Sequence, residues 1–275
     1  MASVRALACP ASLKSVLSSR EAAAALARGL GGCDELPLAD GGEGTADVLP
    51  GVVEAASAIP FDPDRLDPFT SSRPFGELLA RQPSGPLLVG LGGTANMDAG
   101  EGLLEVLDAL PPTTVLCDVA TTLYDAPRVF GPQKGATPEQ VAELEARFRA
   151  NERLRPYADI PGSGAAGGLG AALASLGAEL CPGAATVLDL LGFDPARYDL
   201  VVTGEGRVDA TTREGKVPFE VARRCRAAGV RCVVFGGVVD CDSLLGAEVV
   251  ALSGDPGRAA SDLEELGSRL LDAAG

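Results

Sequence analysis

Short apolar runs that end in glycine alternate with alanine-rich helical patterns along this 275-residue chain. The runs read as buried strands that enter glycine loops, and they are Pro86–Val89 before Gly90, Asp199–Thr203 before Gly204 and Arg231–Phe235 before Gly236. The helical patterns cover Ser19–Leu30, Pro138–Asn151, Leu169–Leu180, Val217–Ala228 and Ala260–Leu271. This alternation predicts an α/β fold with a largely parallel sheet, in which ligands bind at the carboxyl ends of the strands.

The chain has no His and only three Lys, so several kinds of chemistry are excluded before any motif is considered. Ser-His-Asp catalysis, Cys-His catalysis and His-ligated metals all need imidazole. A net charge of −15 repels phosphate backbones and anionic lipid surfaces, and aromatic residues at 4% offer few stacking faces for single strands. We therefore expect neither nucleic-acid nor membrane binding.

The cysteine pattern indicates the compartment. Seven cysteines are scattered without a Cys-x-x-Cys pair, which favours free thiols in a reducing cytoplasm over a disulfide framework or a zinc site. The apolar stretch Met1–Cys9 is too short for a signal peptide, and no run reaches membrane-spanning length. Pro60–Pro74 is predicted to be a linker or a long surface loop, and Arg155–Gly168 to be irregular.

The segment Ala39–Thr45 places two carboxylates among three glycines, just before a short helical start. Asp40 and Glu43 would suit Mg²⁺ or a substrate hydroxyl better than phosphate, while the glycines permit close backbone approach. The alternative is an acidic turn that caps a helix.

Three further segments contain glycine loops. Gly90–Gly100 follows a strand run, as an anion-binding loop should. Gly162–Gly167 matches the G-x-G-x-x-G pattern, but no strand run precedes it. Thr203–Asp209 follows a strand and, with Lys216, presents charged groups that could bind metal, phosphate or carboxylate. The alternative for this last segment is a solvated loop with weak surface ion pairs.

Each of the three lysines, Lys14, Lys134 and Lys216, lies beside such a segment in a chain whose ordinary cation is Arg. A compact ammonium fits a phosphate site that is too narrow for a guanidinium group. The alternative is that these are three ordinary surface lysines, because lysine side chains are usually exposed.

Taken together, the motifs resemble those of the type I glycerate kinase family. The matching blocks, in family order, are ADGGEGT (Ala39–Thr45), GGTANMDAG (Gly92–Gly100), FGPQKGA (Phe130–Ala136), PGSGAAGGLGAAL (Pro161–Leu173), VTGEGRVD (Val202–Asp209) and GKVP (Gly215–Pro218). The segment Pro10–Ser18 is similar to the family's Pro-Asp-Ser-Phe-Lys-Gly segment and keeps Ser12 and Lys14.

The resemblance implies two α/β domains with the active site in the cleft between them. Residues 1–49 and 193–275 would form a flavodoxin-like, Rossmann-like domain, and residues 50–192 an inserted second α/β domain. The chain is shorter than typical members because a segment is missing between Thr45 and Val52, so the inserted domain is expected to be truncated.

The activity implied is phosphorylation of D-glycerate to phosphoglycerate with ATP and Mg²⁺. The implied catalytic residues are Lys14, Asp40, Glu43, Asp209 and Lys216, with the lysines for phosphate or carboxylate and the acids for Mg²⁺ or hydroxyl orientation. Asp118 and Asp209 would be the metal ligands. The implied substrate- and nucleotide-binding residues are Ser12, Gly41, Gly42, Gly44, Thr45, Gly92, Gly93, Thr94, Asp98, Lys134, Ser163, Gly164, Gly204, Glu205 and Arg207.

The chain departs from the family pattern at six positions, namely Ala11, Ser15, Met97, Thr121, Thr122 and Thr211, where the family has Asp, Gly, Asn, Asn, Pro and Gln. These departures keep two alternatives open: a catalytically impaired paralogue that binds a nucleotide or small organic acid, and a kinase for another small hydroxy acid. No feature of the sequence indicates an oligomeric state.

Overall fold

The computed structural model describes residues 4–241 and 243–273. It divides into two compact units, Met1–Asp40 with Val187–Gly275, and Gly41–Thr186. The sequence placed these boundaries at 49/50 and 192/193, so residues 41–49 and 187–192 each lie in the other unit from the one expected. For residues 41–49 the reason is packing, because a Cβ atom on Gly41 would lie only 2.8 Å from the Cβ of Leu116, deep in the second unit.

The strands within the described residues are β1 (Ala6–Ala8), β2 (Asp34–Glu35), β3 (Val52–Glu54), β4 (Leu87–Leu91), β5 (Thr113–Cys117), β6 (Glu179–Pro182), β7 (Leu200–Val208), β8 (Arg231–Val239), β9 (Ser243–Leu244) and β10 (Ala247–Ala251). The α-helices of the same residues are α1 (Ser19–Gly29), α2 (Thr45–Val48), α3 (Arg73–Ala80), α4 (Glu101–Leu104), α5 (Ala126–Phe130), α6 (Pro138–Ala150), α7 (Ala165–Ser175), α8 (Gly183–Leu190), α9 (Val217–Ala228) and α10 (Ala259–Asp272).

The first unit is built on a six-stranded sheet of order β2-β1-β7-β8-β10-β9. All neighbours pair in parallel except β9, which is antiparallel to β10. Helices α1 and α10 contribute Leu26 and Leu263 to a core with Val202 and Phe235 of the sheet, and α9 packs on β7 and β8. Parallel pairing brings the carboxyl ends of β1, β7 and β8 to one edge, where ligands of such sheets bind.

The second unit is built on a four-stranded, fully parallel sheet of order β3-β4-β5-β6. Its core joins Val89 and Val115 of the sheet to Phe75 of α3, Phe148 of α6 and Leu169 of α7. The predicted α/β class with parallel sheets is therefore confirmed. The flavodoxin-like assignment of the first unit and the truncation of the second stay predictions.

Local signals explain the helices that the sequence predicted most accurately. Helix α6 begins after Thr137, whose hydroxyl accepts a bond from the backbone N–H of Gln140 in a capping box. Helix α9 has the predicted bounds and ends at Gly229, which takes the left-handed conformation with φ +69°. Within the described residues, no helix is long and apolar enough to cross a membrane.

Two predicted segments differ in the structure. Strands β7 and β8 continue past their glycines to Val208 and Val239, so much of Thr203–Asp209 is strand rather than loop. The predicted helix Leu169–Leu180 is wrong at its end, because the chain turns at Gly177 and residues 179–182 pair with β5.

Of the two alternatives predicted for Pro60–Pro74, the surface loop is confirmed. The segment lies inside the second unit and leads into α3, whose first turn contains Pro74.

Candidate active site

The segment after β1 lies against β7 at the carboxyl edge of the first unit's sheet. The N–H of Cys9 donates to the carbonyl of Val202 at 2.8 Å, and the N–H of Ala11 donates to the carbonyl of Gly204 at 2.9 Å. This places the exposed Lys14 beside β7, where a Cβ atom on Gly206 would lie 3.8 Å from the backbone nitrogen of Lys14. Ser12, half-buried, lies on the same segment.

Glu205 is the most buried carboxylate of this edge. Its Oε1 accepts a hydrogen bond from the Thr212 hydroxyl at 2.8 Å, and its Oε2 lies 3.8 Å from the ammonium of Lys216. Burial raises the pKa of Glu205, the Asp40 and Asp209 carboxylates raise it further, and Lys216 and Thr212 oppose that rise. These four charged groups, Asp40, Glu205, Asp209 and Lys216, therefore lie close enough to influence one another.

Asp209 begins the 3-10 turn Ala210–Glu214 and is oriented by Thr211. Its Oδ1 accepts bonds from the backbone N–H of Thr211 at 2.8 Å and from the Thr211 hydroxyl at 2.7 Å. The hydroxyl bond is the main cause of the lowered pKa of Asp209. Thr211, one of the positions where the chain departs from the family pattern, thus supports the neighbouring carboxylate.

Two other predicted residues of this edge, Arg207 and Gly204, contact other parts of the protein. Arg207 forms an ion pair with Asp240 at 2.8 Å in which both side chains are more than half exposed. Gly204 faces the ring of Phe235, which a Cβ atom on Gly204 would approach to 2.5 Å. Gly204 is thus required by strand packing, and no ligand is needed to explain it.

At the carboxyl edge of the second unit's sheet, glycines from two motifs interlock. A Cβ atom on Gly92 would lie 2.6 Å from Oδ2 of Asp118 and 2.7 Å from Cα of Gly42, and one on Gly90 would lie 2.6 Å from the carbonyl oxygen of Gly41. Side chains at these positions would collide with backbone or with a carboxylate. The ADGGEGT and GGTANMDAG segments are therefore brought together, with Asp118 beside them.

Glu43 and Thr45 have different surroundings within the first of these segments. Glu43 is exposed and approaches Gly93, because a Cβ atom there would lie 3.4 Å from the Oε2 of Glu43. Thr45 is fully buried and its hydroxyl donates to the carbonyl of Gly42 at 2.6 Å. Gly44, at φ +87°, permits the turn into α2.

Asp98 is buried, and the protein itself occupies its carboxylate. It accepts hydrogen bonds from the N–H and hydroxyl of Ser72, from the Asn96 amide, and from the N–H groups of Gly100 and Gly102. Five donors leave little acceptor capacity for a substrate. Through these bonds Asp98 organises the loop, and its contact with a ligand stays a prediction.

Lys134 is buried as well, with only 6% of its surface exposed. Its ammonium donates to the carbonyl oxygen of Asn96 at 2.8 Å. Burial lowers the pKa of Lys134 to about 8, against the opposing influence of the Asp118 and Asp98 carboxylates. The lysine predicted to meet a ligand therefore contacts the neighbouring loop.

Residues of the Gly162–Gly167 segment also have contacts within the protein. The hydroxyl of Ser163 donates to the carbonyl of Ala158 and accepts from the N–H of Leu123, both at 2.8 Å. A Cβ atom on Gly164 would lie 2.8 Å from the carbonyl carbon of Thr122. Ser163 and Gly164 are accounted for by these contacts, and the dinucleotide pattern gains no support.

Asn96 is the residue that sequence reasoning missed. Its Oδ1 and the hydroxyl of Thr94 are buried and lack hydrogen-bond partners among the described residues. The only sequence signal was its position inside the GGTANMDAG block, which gave no reason to select it over Thr94 or Asp98.

The sequence-predicted residues therefore form two groups, one at the carboxyl edge of each sheet. Within the described part of the chain, no set of three or more Cys, Asp or Glu residues is arranged to hold a metal ion by itself. Mg²⁺ is commonly held by one or two carboxylates together with substrate phosphates and water, so the acids of the first edge, Asp40, Glu205 and Asp209, suit such a partial site.

The chain matches known proteins along most of its length. A model of the glycerate kinase family matches residues 110–265. The glycerate 2-kinase of Escherichia coli (strain K12) is 31% identical over 303 aligned positions, which cover 78% of this chain and 80% of the relative. The glycerate kinase of Bacillus subtilis (strain 168) is 31% identical over 330 positions, which cover 87% of this chain and 86% of the relative.

A solved structure agrees with these matches. The crystal structure of a protein from Salmonella typhimurium LT2, provisionally named glycerate kinase 2, superposes with a TM-score of 0.79 at 27% identity. The superposition covers 99% of this chain and 98% of that one. The structural and the sequence comparisons therefore agree on the glycerate kinase family.

Proposed function

The chain belongs to the glycerate kinase family, and we propose that it transfers the γ-phosphoryl group of ATP to a hydroxyl of D-glycerate, with Mg²⁺ as the cofactor. The observation that carries this proposal is the match to named glycerate kinases over about four fifths of both chains. A kinase of this family uses a nucleotide and a small-molecule acceptor. We infer a cytoplasmic location and small-molecule partners, because the cysteines are free thiols and the net charge of −15 repels nucleic acids.

The chemistry suits a chain without histidine. Phosphoryl transfer depends mainly on positioning and on stabilising negative charge, so cations and hydrogen-bond donors can supply most of what the reaction needs. In the first unit, Lys14 and Lys216 are the lysines at the ligand-binding edge of the parallel sheet, where Arg207 is paired with Asp240. We assign them to the phosphate groups or to the carboxylate of the acceptor.

The acids of the same edge would orient the hydroxyl or hold the metal. Asp209 is held as a carboxylate by its bonds from Thr211, and both Asp209 and Asp40 are near enough to raise the pKa of Glu205. Clustered carboxylates repel one another, and a divalent cation relieves that repulsion. When bound, Mg²⁺ would neutralise phosphate charge. We assign Asp209 as a metal ligand and keep Asp118 of the second unit as a further candidate.

In the second unit, we assign the exposed Glu43 and the backbone of Gly41, Gly42, Gly92 and Gly93 to ligand contacts. Glu43 is exposed beside Gly93, whereas Gly41, Gly42 and Gly92 are buried against protein atoms, so the assignment of these three glycines rests on the family motif. Thr45, Asp98 and Ser163 are instead assigned to the framework of this edge, because their polar atoms are occupied by protein partners.

A coupled assay with ATP, Mg²⁺ and D-glycerate tests the function. We expect ADP release that depends on glycerate, and phosphorus NMR of the product would identify the hydroxyl that is phosphorylated. Absence of turnover by protein with a cooperative unfolding transition would refute the kinase. Turnover with another hydroxy acid alone would replace the substrate and keep the reaction.

A further inference from the structure

Lys134 joins two distant segments of the second unit. It ends the 3-10 turn Pro132–Lys134 that follows α5. Its ammonium donates to the main-chain carbonyl of Asn96, 38 residues earlier in the chain, at 2.8 Å. This carbonyl lies two residues after Thr94, in the loop that leaves β4. The side chain therefore holds the loop by its backbone.

Asn96 extends this connection to one more segment. Its Nδ2 donates to Oδ1 of Asp98 at 3.2 Å and to the carbonyl of Ala166 at 2.9 Å. The Ala166 carbonyl belongs to three consecutive residues, Ala166–Gly168, that take left-handed backbone angles at the start of α7. Segments from three motifs thus meet at a single asparagine.

Stability does not account for the ammonium at this position. Desolvating a buried cation is costly unless a carboxylate pairs with it. Asp98 and Asp118 favour the charged form of Lys134, but burial outweighs them and lowers its pKa. A methionine would fill the same volume without that cost. The amine is better explained by the bond that it makes to the loop.

The loop leads directly to the candidate ligand contacts. Asn96 follows the Gly92–Thr94 segment, in which Gly92 lies against Gly42 and Asp118 and Gly93 lies beside Glu43. A loop released at the Asn96 carbonyl would let these groups shift relative to one another. Shifts of ~1 Å at a reaction centre can lower a rate ~100-fold.

We propose that Lys134 is a positioning residue, which acts through the Asn96 carbonyl to hold the Gly92–Thr94 segment in the geometry that phosphoryl transfer needs. The inference rests on the proposed kinase function. It assigns Lys134 no contact with substrate or nucleotide, which distinguishes it from Lys14 and Lys216.

Two substitutions separate positioning from direct binding. Lys134→Met removes both the charge and the donor, whereas Lys134→Gln removes the charge and keeps a donor near the Asn96 carbonyl. Steady-state kcat and the KM values for ATP and D-glycerate are measured for both, with thermal unfolding as a check of folding. Arg128→Met, which removes an exposed ion pair with Asp125 on the neighbouring helix, is the matched control.

Positioning predicts that Lys134→Met lowers kcat at least tenfold with KM values within about threefold, while Lys134→Gln recovers at least a third of the wild-type kcat. The control keeps wild-type values. The inference is overturned if Lys134→Met retains kcat within twofold, if KM rises instead of kcat falling, or if Lys134→Gln is as impaired as Lys134→Met. An inactive wild type would refute the proposed function, which is a separate outcome.

Discussion

The carboxyl edges of the two sheets carry similar residue types in different states. At the edge of the first unit, Glu205, Asp209 and Lys216 are partly exposed and form loose charge interactions, such as the 3.8 Å approach of Lys216 to Glu205. At the edge of the second unit, Asp98 and Lys134 are buried and their bonds go to the protein. The charged groups of the first edge are available to a ligand. The polar groups of Asp98 and Lys134 at the second edge are instead hydrogen-bonded within the protein and fix its loops.

Of the substitutions that distinguish the two edges, we expect Lys216→Ala to have the largest effect. Lys216→Ala should lower kcat/KM for ATP-dependent phosphorylation of glycerate ~100- to 1,000-fold, as loss of one charge-stabilising group does. The free energy of unfolding should change by less than ~1 kcal/mol, because the ion pair with Glu205 is long and partly exposed. Arg226→Ala, an exposed cation of α9, is the control for the coupled assay and for urea unfolding. Activity within threefold of the wild type would contradict the assignment of the first edge.

Asp98 should show the opposite behaviour. Asp98→Ala leaves several buried donors without an acceptor, each at ~1–3 kcal/mol. We expect the free energy of unfolding to fall by ~3–4 kcal/mol in urea titrations. The exposed Asp159 of the same unit provides the comparison, since Asp159→Ala should stay within ~0.5 kcal/mol. Equal stability of the two variants would show that the second edge is not held by this carboxylate.

The pH dependence of stability tests the burial of Lys134. Its pKa is about 8 in the folded protein and 10.5 in the unfolded chain, so the unfolded state binds more protons between these values. The contribution of Lys134 to the free energy of unfolding therefore rises by ~3 kcal/mol in total as the pH rises from 8 to 10.5. Below pH 8 the protein bears the full cost of burying the charged ammonium. The difference in unfolding free energy between Lys134→Met and the wild type should shrink over this interval. Parallel pH profiles of the two proteins would contradict the burial.

The smallest effect concerns the loop that carries Lys14. Ser15 has φ +63°, a left-handed conformation that is unfavourable for any residue with a Cβ atom. Ser15→Gly relieves that strain but makes the unfolded chain more flexible, so we expect a net gain of ~0.5 kcal/mol in chemical denaturation. A loss of stability would mean that the Ser15 side chain supports the first edge.

Features with local causes were predictable from the sequence. Helices α6 and α9 follow from Thr137 with Gln140 and from Gly229, which act within a few residues of each helix end. The α/β class and the loops at strand ends follow from the order of apolar runs. The motif blocks also identified which loops would lie at the sheet edges.

Features with distant causes were not predictable in this way. Strand β7 continues past Gly204 because that glycine fits beneath Phe235 of β8, a contact between strands. Residues 179–182 form a strand because β5 is available to pair with them. The motifs gave the residue types of Asp98 and Lys134 but not their burial, because their partners Ser72 and Asn96 lie 26 and 38 residues away in the chain.

The insertion of residues 41–186 between the halves of the first unit has a consequence for synthesis on the ribosome. Strand β1 pairs with β7, and Ala6 lies opposite Leu200, so its partner is translated long after it. At ~5–20 residues per second, the delay is ~10–40 s. During that time the second unit is being synthesised, and β1 has no β7 to pair with. In the nascent chain, the side of the apolar strand Ala6–Ala8 that faces β7 is therefore unpaired, and exposed strand edges of this kind are prone to incorrect pairing.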